Sequence, residues 1–566
     1  MKFIEMPYAR LDDNSIIATG ERIIFQFTNA NTKEEAFDAF KDWQSLLAKI
    51  STQSTLAAVR QQIDTNDDFY DKEQAYWDNV MPKLEATMQK FTLALLSSKF
   101  KADFVNSFGD LLFKNAEMQL KTFKPEVITE LQEENRLTTE YAKLIASAQI
   151  MFDDDLKTLS QLSPYKQSAD DKIRREAWLA ESKFYVDNKD NLDEIYDKLV
   201  KIRTKIANKL GYKNFVELGY YRMVRNSYDQ KDVSKFREAV VKYIVPLADM
   251  LKKQQASRIG VAYPMSFVDD ALTYRSGNAK PHGSADDILA HARKMYHELS
   301  DETKEFIDFM YDNQLLDVLS KKGKAGGGFC TEFADYKAPF IFANFNGTQH
   351  DVEVMTHEAG HAFAAYMAKD VFPLEYRNPT LESCEIHSMT MEFFAWPWAE
   401  GFFKDDTDKF YYGHLEGALT FIPYGTMVDH FQHIVYENPG LTKEERHEKW
   451  RELEAIYRPW LKIADLPFYG EGKGWQRQQH IYSSPFYYID YCLAQAVALQ
   501  FWAKMQSDRK QTWLDYLALV RKAGTLTFSE LVDTAGLTTP FGEEGLSDVA
   551  KVANDFLNTF DKNKLK

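Results

Sequence analysis

The chain has 566 residues, 45% hydrophobic and 27% charged, with only 17 Pro and 25 Gly, a composition that builds a globular protein with a substantial core. Its 85 acidic against 69 basic residues leave a net charge of −16, which excludes a nucleic-acid binder, because phosphate backbones demand a basic footprint. No uncharged apolar run nears the roughly 18 to 20 residues that a membrane-spanning helix needs, so no membrane partner is expected.

The opening MKFIEMPYARLDD carries Glu5, Arg10 and Asp12 and lacks the unbroken apolar stretch of a signal peptide. Three cysteines, Cys330, Cys384 and Cys492, cannot all pair with one another, and a reducing cytoplasm fits both observations. From about Asn31 to Ala271 the pattern is repeatedly helical. In NLDEIYDKLVKIRTKIANKLGY, Leu192, Ile195, Tyr196, Leu199, Ile202, Ile206 and Leu210 recur at spacings of three and four, and Gly211 is placed to end the helix. The loop TYRSGNAKPHGSADD follows, with Ser284 as the N-cap of the next helix.

The helical texture breaks at KKGKAGGGFCTEF. Gly323 and Gly326 to Gly328 mark a turn, and Pro339 to Phe345 reads as strand, so a small sheet leads into the next helix. Bounded by Pro339 and by Asn346, Gly347 and Thr348, the strand PFIFANF is either an edge, open to an added peptide strand, or an ordinary buried strand.

The helix after it contains VMTHEAGHAF. Residues four apart nearly eclipse on a helix, so the imidazoles of His357 and His361 point the same way with Glu358 beside them, the geometry of a zinc clamp and its general base. Catalytic zinc usually has three protein ligands and one open position. The longer HExxHxxGxxH arrangement is excluded, since Ala364 and Met367 occupy its glycine and histidine positions, and the third ligand must come from another element. NPTLESCEIHSMTMEFFAWPW reads as a helix from Pro379 to Pro397, on which Glu382, Glu385 and Glu392 share a face with Met389. Such a face is costly to bury without a cation. Spacing leaves Glu382, Glu385 and His387 open as the third ligand.

HEAGHAF, followed 28 residues after its first histidine by the glutamate of CEIHSMTMEFF, resembles the oligoendopeptidase F and Pz-peptidase branch of the thimet oligopeptidase family of HExxH zinc metallopeptidases. GKAGGGFCTEFADYKAPFIFANFNGTQHDVEVMTHEAGHAF is similar to that branch throughout, and the match runs from about Arg174 to the C-terminus. The resemblance implies one zinc ion held by His357, His361 and Glu385, with Glu358 as general base and proton shuttle and Glu392 orienting a ligand histidine. In QHIYSSPFYYIDYCLA it implies that His480, Tyr488 and Tyr491 bind the substrate carbonyl and the developing oxyanion. A one-residue gap in this stretch makes Tyr487 the alternative donor.

The implied fold is mainly α, a large two-lobed helical body enclosing a deep substrate channel, with a small β-sheet preceding the HExxH helix. Residues 1–160 form an N-terminal helical region and 161–566 the zinc peptidase catalytic region. The implied activity is a cytoplasmic zinc-dependent endopeptidase that hydrolyses internal bonds of short unstructured peptides. YGEGKGW, with three glycines just before His480, is expected to be a mobile lid, since it lacks the GxxxxGK[ST] pattern of a phosphate cradle. Two other functions compete. A zinc carboxypeptidase needs a cation for the free carboxylate, for which Arg377 is the candidate. A peptide-binding protein with structural zinc would leave Glu358 without a duty, and the chain has no CxxC of the kind that closed structural sites favour.

Overall fold

Apolar spacing at three and four, closed by polar caps, produces helices along nearly the whole chain. The computed structural model describes residues 1–561 and 565. The first long helices, α1 (Asp13–Thr28), α2 (Lys33–Ile63) and α3 (Asp68–Leu96), begin at Asp12, Thr32 and Asp67, whose side chains accept backbone N–H groups of the first turn. Such caps contribute about 1 kcal/mol each. These helices build two apolar clusters of their own, one around Phe27, Phe40, Trp43 and Phe91, the other around Ile50, Trp77 and Leu84. Both are separate from the main core.

In α4 (Lys189–Lys209) the predicted stripe is the packed one, with Leu192, Ile195, Tyr196, Leu199 and Ile206 buried. Gly211 follows at φ +96°, a conformation glycine adopts without steric cost. Ser284 caps the helix Ala285–Leu299 through a reciprocal pair with Asp287.

The sheet has three strands, β1 (Leu316–Leu319), β2 (Phe329–Phe333) and β3 (Ala338–Phe345), in the order β1-β3-β2. β3 runs parallel to β1 and antiparallel to β2, with Ile341 opposite Cys330. PFIFANF is therefore the central strand. Every β3 residue except Asn344 is buried, and unbroken apolarity is what burial on both faces requires. β1 and β2 are the two edge strands of the sheet. Between β1 and β2 the glycine-rich loop is tied down: the buried Lys324 ammonium donates to the carbonyls of Leu319 and Ala343 and to Asp317, and the Asn344 amide donates to the carbonyls of Ala325 and Gly327.

β3 leads through a tight turn into α5 (His350–Ala368). Asp351 on the first turn of α5 accepts the N–H groups of Asn346 and Gly347 at 2.9 and 2.7 Å, which fixes the helix to the strand. α6 (Leu381–Phe394) ends before a single 3-10 turn over Trp396–Trp398 that contains Pro397, three residues short of the expected limit. It packs against α5 on one side and against α9 (Tyr488–Val520) on the other. α7 (Thr407–Glu437) and the short α8 (Gln479–Ser483) complete the surroundings.

The stretch YGEGKGW is not an open loop. Tyr469, Gly474 and Trp475 are buried, and a Cβ on Gly472, at φ +75°, would meet the carbonyl oxygen of His447 at 2.3 Å. Its glycines permit close packing onto the helix Lys443–Tyr457, a use that glycine content alone does not separate from mobility.

Candidate metal centre and active site

Three groups from two helices converge. His357 and His361 lie one turn apart on α5, and Oε2 of Glu385 on α6 is 3.2 Å from Nε2 of the first and 3.3 Å from Nε2 of the second. One ligand atom from each residue lies within 4.8 Å of the others. Ligands bound about 2.0–2.1 Å from a tetrahedral zinc stand about 3.3–3.4 Å apart, so the donor set has the dimensions of such a site. Glu382, one turn before Glu385, is fully buried with neither oxygen hydrogen-bonded and is not in this cluster. His387 is likewise not in this cluster, although it lines the cavity over it.

The approach of α6 to α5 depends on Gly360, inside HEAGH. A Cβ there would come within 2.6 Å of Ser388 Cα and 2.8 Å of the His387 carbonyl oxygen. Glycine is thus required for the two helices to bring their ligands together.

Behind the cluster runs a chain of hydrogen bonds. Trp396 Nε1 donates to His414 Nδ1 at 2.9 Å, which leaves the His414 proton on Nε2, 2.8 Å from Glu392 Oε2. Glu392 Oε1 then accepts from His357 Nδ1 at 2.7 Å. This network assigns the tautomer of His357 that turns the Nε2 lone pair toward the cluster. Burial alone would raise the Glu392 carboxyl, but the bonds from His357 and His414 outweigh it and hold it at about 2. Glu385 is likewise held below the usual carboxylate range, burial opposing and the two histidines prevailing.

Glu358, only 5% exposed, has no partner for Oε2. Burial pushes its carboxyl above the ordinary value, against the pull of His357 and His361. Gly328 of the loop lies beside it, since a Cβ there would stand 3.4 Å from Glu358 Oε1.

The cavity over the cluster measures about 590 Å³, and Gly326–Gly328, the β2 edge, His480, Tyr487 and Tyr491 line it. His480, Tyr488 and Tyr491 also line an adjoining cavity with His357 and Glu358. The Gln478 amide donates to His480 Nδ1 at 2.9 Å, and His480 Nε2 stands 3.1 Å from the Tyr491 hydroxyl. Burial pushes the His480 imidazole down to about 4. A neutral ring that accepts at Nδ1 donates at Nε2, which leaves the Tyr491 proton free to point elsewhere. Tyr487 instead donates to Glu385 Oε1. Cys330 and Cys384 line the cavity too, but burial pushes both thiols up, so neither is a thiolate nucleophile.

Local spacing did not mark His414, Gly360 or the bond from Tyr487, because each acts on an element distant in sequence. The same is true of Arg225. Its guanidinium donates to the Phe486 carbonyl and to Asp490 at 2.9 Å, while Gln432 accepts the Phe486 N–H at 2.9 Å. Phe486, at φ +68°, is thereby held in the turn that launches α9. Arg377 is committed: it donates to Glu332 at 3.0 Å and to the Ala334 carbonyl at 3.3 Å.

The chain matches the peptidase M3 N-terminal domain over residues 3–123 and peptidase family M3 over 279–549. It is 45% identical to Pz peptidase A, solved with an inhibitor, with a TM-score of 0.98 over 99% of this chain and 100% of that one. An oligoendopeptidase F homolog of Borreliella burgdorferi is 22% identical over 88% of this chain and 87% of its own length. Group B oligopeptidase PepB of Streptococcus agalactiae is 22% identical over 65% and 63%. With a helical fold and an HExxH cluster of these dimensions, the chain belongs to peptidase family M3, in its oligoendopeptidase F and Pz-peptidase branch, and is a metallopeptidase.

Proposed function

We propose that the protein is a zinc-dependent endopeptidase that hydrolyses internal bonds of short unstructured peptides. The observation that carries this reading is the convergence of His357, His361 and Glu385 beside the unpartnered carboxylate of Glu358. His357, His361 and Glu385 would hold the ion, and Glu392 would keep His357 oriented. Bound zinc supplies Lewis acidity, polarising a carbonyl and making water acidic enough to lose a proton near neutral pH. Glu358 accepts the proton of the attacking water and returns it to the leaving nitrogen. Tyr491, oriented by His480, and Tyr488 donate to the oxyanion as charge develops. Tyr487 acts differently, holding Glu385 in place.

The β2 edge would align the substrate backbone by main-chain hydrogen bonds. We take residues 1–160 as an N-terminal helical region and 161–566 as the catalytic region, together forming two lobes around a channel that admits peptides and excludes folded proteins. Gln62 of α2 lines the metal-site cavity, which supports a contribution of the N-terminal region to the channel wall. No helix among the described residues is long and apolar enough to cross a membrane, and we place the enzyme in the cytoplasm. The ion pair of Arg377 with Glu332 weighs against the carboxypeptidase reading, because its charge is already neutralised.

A doubly blocked, internally quenched peptide tests the proposal alongside metal analysis. Stoichiometric zinc, cleavage of the blocked peptide, loss on chelation and recovery with zinc are expected. Tightly held zinc without hydrolysis of any blocked peptide would overturn it.

A further inference from the structure

A second cavity, of about 460 Å³, shares the Gly326–Gly328 loop and Gln479 with the metal-site cavity and is also lined by Tyr488. Its charged lining residues include Lys166, Glu181, Asp351 and Arg477. Three of these are engaged. Lys166 is paired with Glu181 Oε2, while Glu181 Oε1 accepts from the Tyr469 hydroxyl. Asp351 accepts the two backbone N–H groups at the start of α5.

Arg477 differs. Its guanidinium lies against the rings of Tyr469 and Phe267, 5.5 and 5.8 Å from their centroids; it makes no hydrogen bond or close ion pair with any described residue, and the Glu181 carboxylate, already bonded to Lys166 and Tyr469, attracts it only at longer range. Contact with ring faces at these distances uses the charge but none of the five N–H donors. A planar fork with unused donors that lines a cavity is matched by a carboxylate, which takes two of those donors in parallel. Position adds to this. Arg477 precedes His480 by three residues, so their Cα atoms are at most about 11 Å apart, within a few residues of an extended peptide whose carbonyl lies beside His480.

We infer that Arg477 forms a substrate subsite that binds a peptide carboxylate a few residues from the scissile bond. This rests on the endopeptidase reading and deepens it: the enzyme senses an anionic group at one end of the bound segment. Arg377 cannot do this, being paired with Glu332. The carboxylate comes from the C-terminus of a short peptide or from an acidic side chain, and the two are separable.

Three peptides of one sequence serve as probes: the free C-terminal acid, the C-terminal amide, and an amide carrying Glu in place of the last residue. Hydrolysis is followed with wild type, Arg477→Gln and Arg477→Lys, and binding by calorimetry on Glu358→Gln with and without Arg477→Gln. With wild type, kcat/KM for the acid exceeds that for the amide about tenfold or more, the size of one charge-assisted contact. Arg477→Gln brings the ratio close to one, and Arg477→Lys restores part of it. If the Glu-bearing amide behaves like the free acid, side-chain carboxylates are accepted; if it behaves like the plain amide, the chain end alone is read. Equal acid-to-amide ratios in wild type and Arg477→Gln would overturn the subsite. Absence of hydrolysis for every peptide would instead count against the endopeptidase reading, and the binding ratios would still decide the role of Arg477.

Discussion

Tyr487 and Glu385 stand 102 residues apart in the chain and share a hydrogen bond, the phenol donating to Oε1 while Oε2 faces His357 and His361. The bond makes Tyr487 a support for the proposed ligand carboxylate. Tyr487→Phe is therefore expected to weaken zinc binding roughly 10 to 100-fold, as loss of an outer-shell partner does. Competition with a chromogenic chelator measures it. Unchanged zinc affinity together with a large fall in kcat would make Tyr487 the oxyanion donor instead.

Tyr491 should show the opposite pattern. Its proton is not used by His480, so Tyr491→Phe lowers kcat by about 100 to 1,000-fold with little change in KM or zinc content. Tyr488→Phe tests the second donor in the same way. A rise in KM alone in either variant would assign that tyrosine to substrate binding.

Glu358→Gln keeps the shape of the side chain and removes its ability to accept a proton. Full zinc occupancy is expected with a loss of about 100 to 10,000-fold in kcat, read by metal analysis and single-turnover kinetics on one preparation. Retained turnover would sink the assignment of the base.

Gly360→Ala introduces a methyl group where Ser388 Cα is 2.6 Å away. Overpacking of this kind costs about 1 to 3 kcal/mol, and the displacement of α6 carries Glu385 away from the histidines. Lower urea stability and weaker zinc binding should appear together. A stable variant with normal zinc affinity would show that the helices can part without disturbing the cluster.

Burial pushes the Glu382 carboxyl up to about 7 from an ordinary 4.5. Below about pH 4.5 the folded and unfolded chains both hold this proton. Between about pH 4.5 and 7 only the folded chain keeps it, so Glu382 lowers stability progressively as pH rises, by on the order of 2 to 3 kcal/mol at the top of the window. Glu382→Gln removes that loss. The difference in urea stability between Glu382→Gln and wild type should therefore grow from pH 4.5 to 7 and then level off. A difference independent of pH would mean that Glu382 is ionised in the folded protein.

Much of the site was legible because helical periodicity is a local rule. The four-residue spacing of His357 and His361 set both on one face of α5, and the three-residue repeats in α4 named its buried side without any partner being known. Caps such as Ser284 and Gly211 also act within a few residues. The glutamates of α6 shared a predicted face, but spacing could not say which of them meets the histidines. That choice depends on how closely α6 approaches α5, and Gly360 sets it against a residue 28 positions away. The same limit explains the rest. Whether PFIFANF lies at the centre or the edge of its sheet depends on which strands flank it, and whether the glycines of YGEGKGW are mobile or packed depends on the helix beneath them. Arg377 and Arg477 look alike in the sequence. Glu332 bonds directly to the first, whereas the second touches only aromatic rings and has Glu181 at longer range, because charge compensation in a folded chain is decided by neighbours that only tertiary packing supplies.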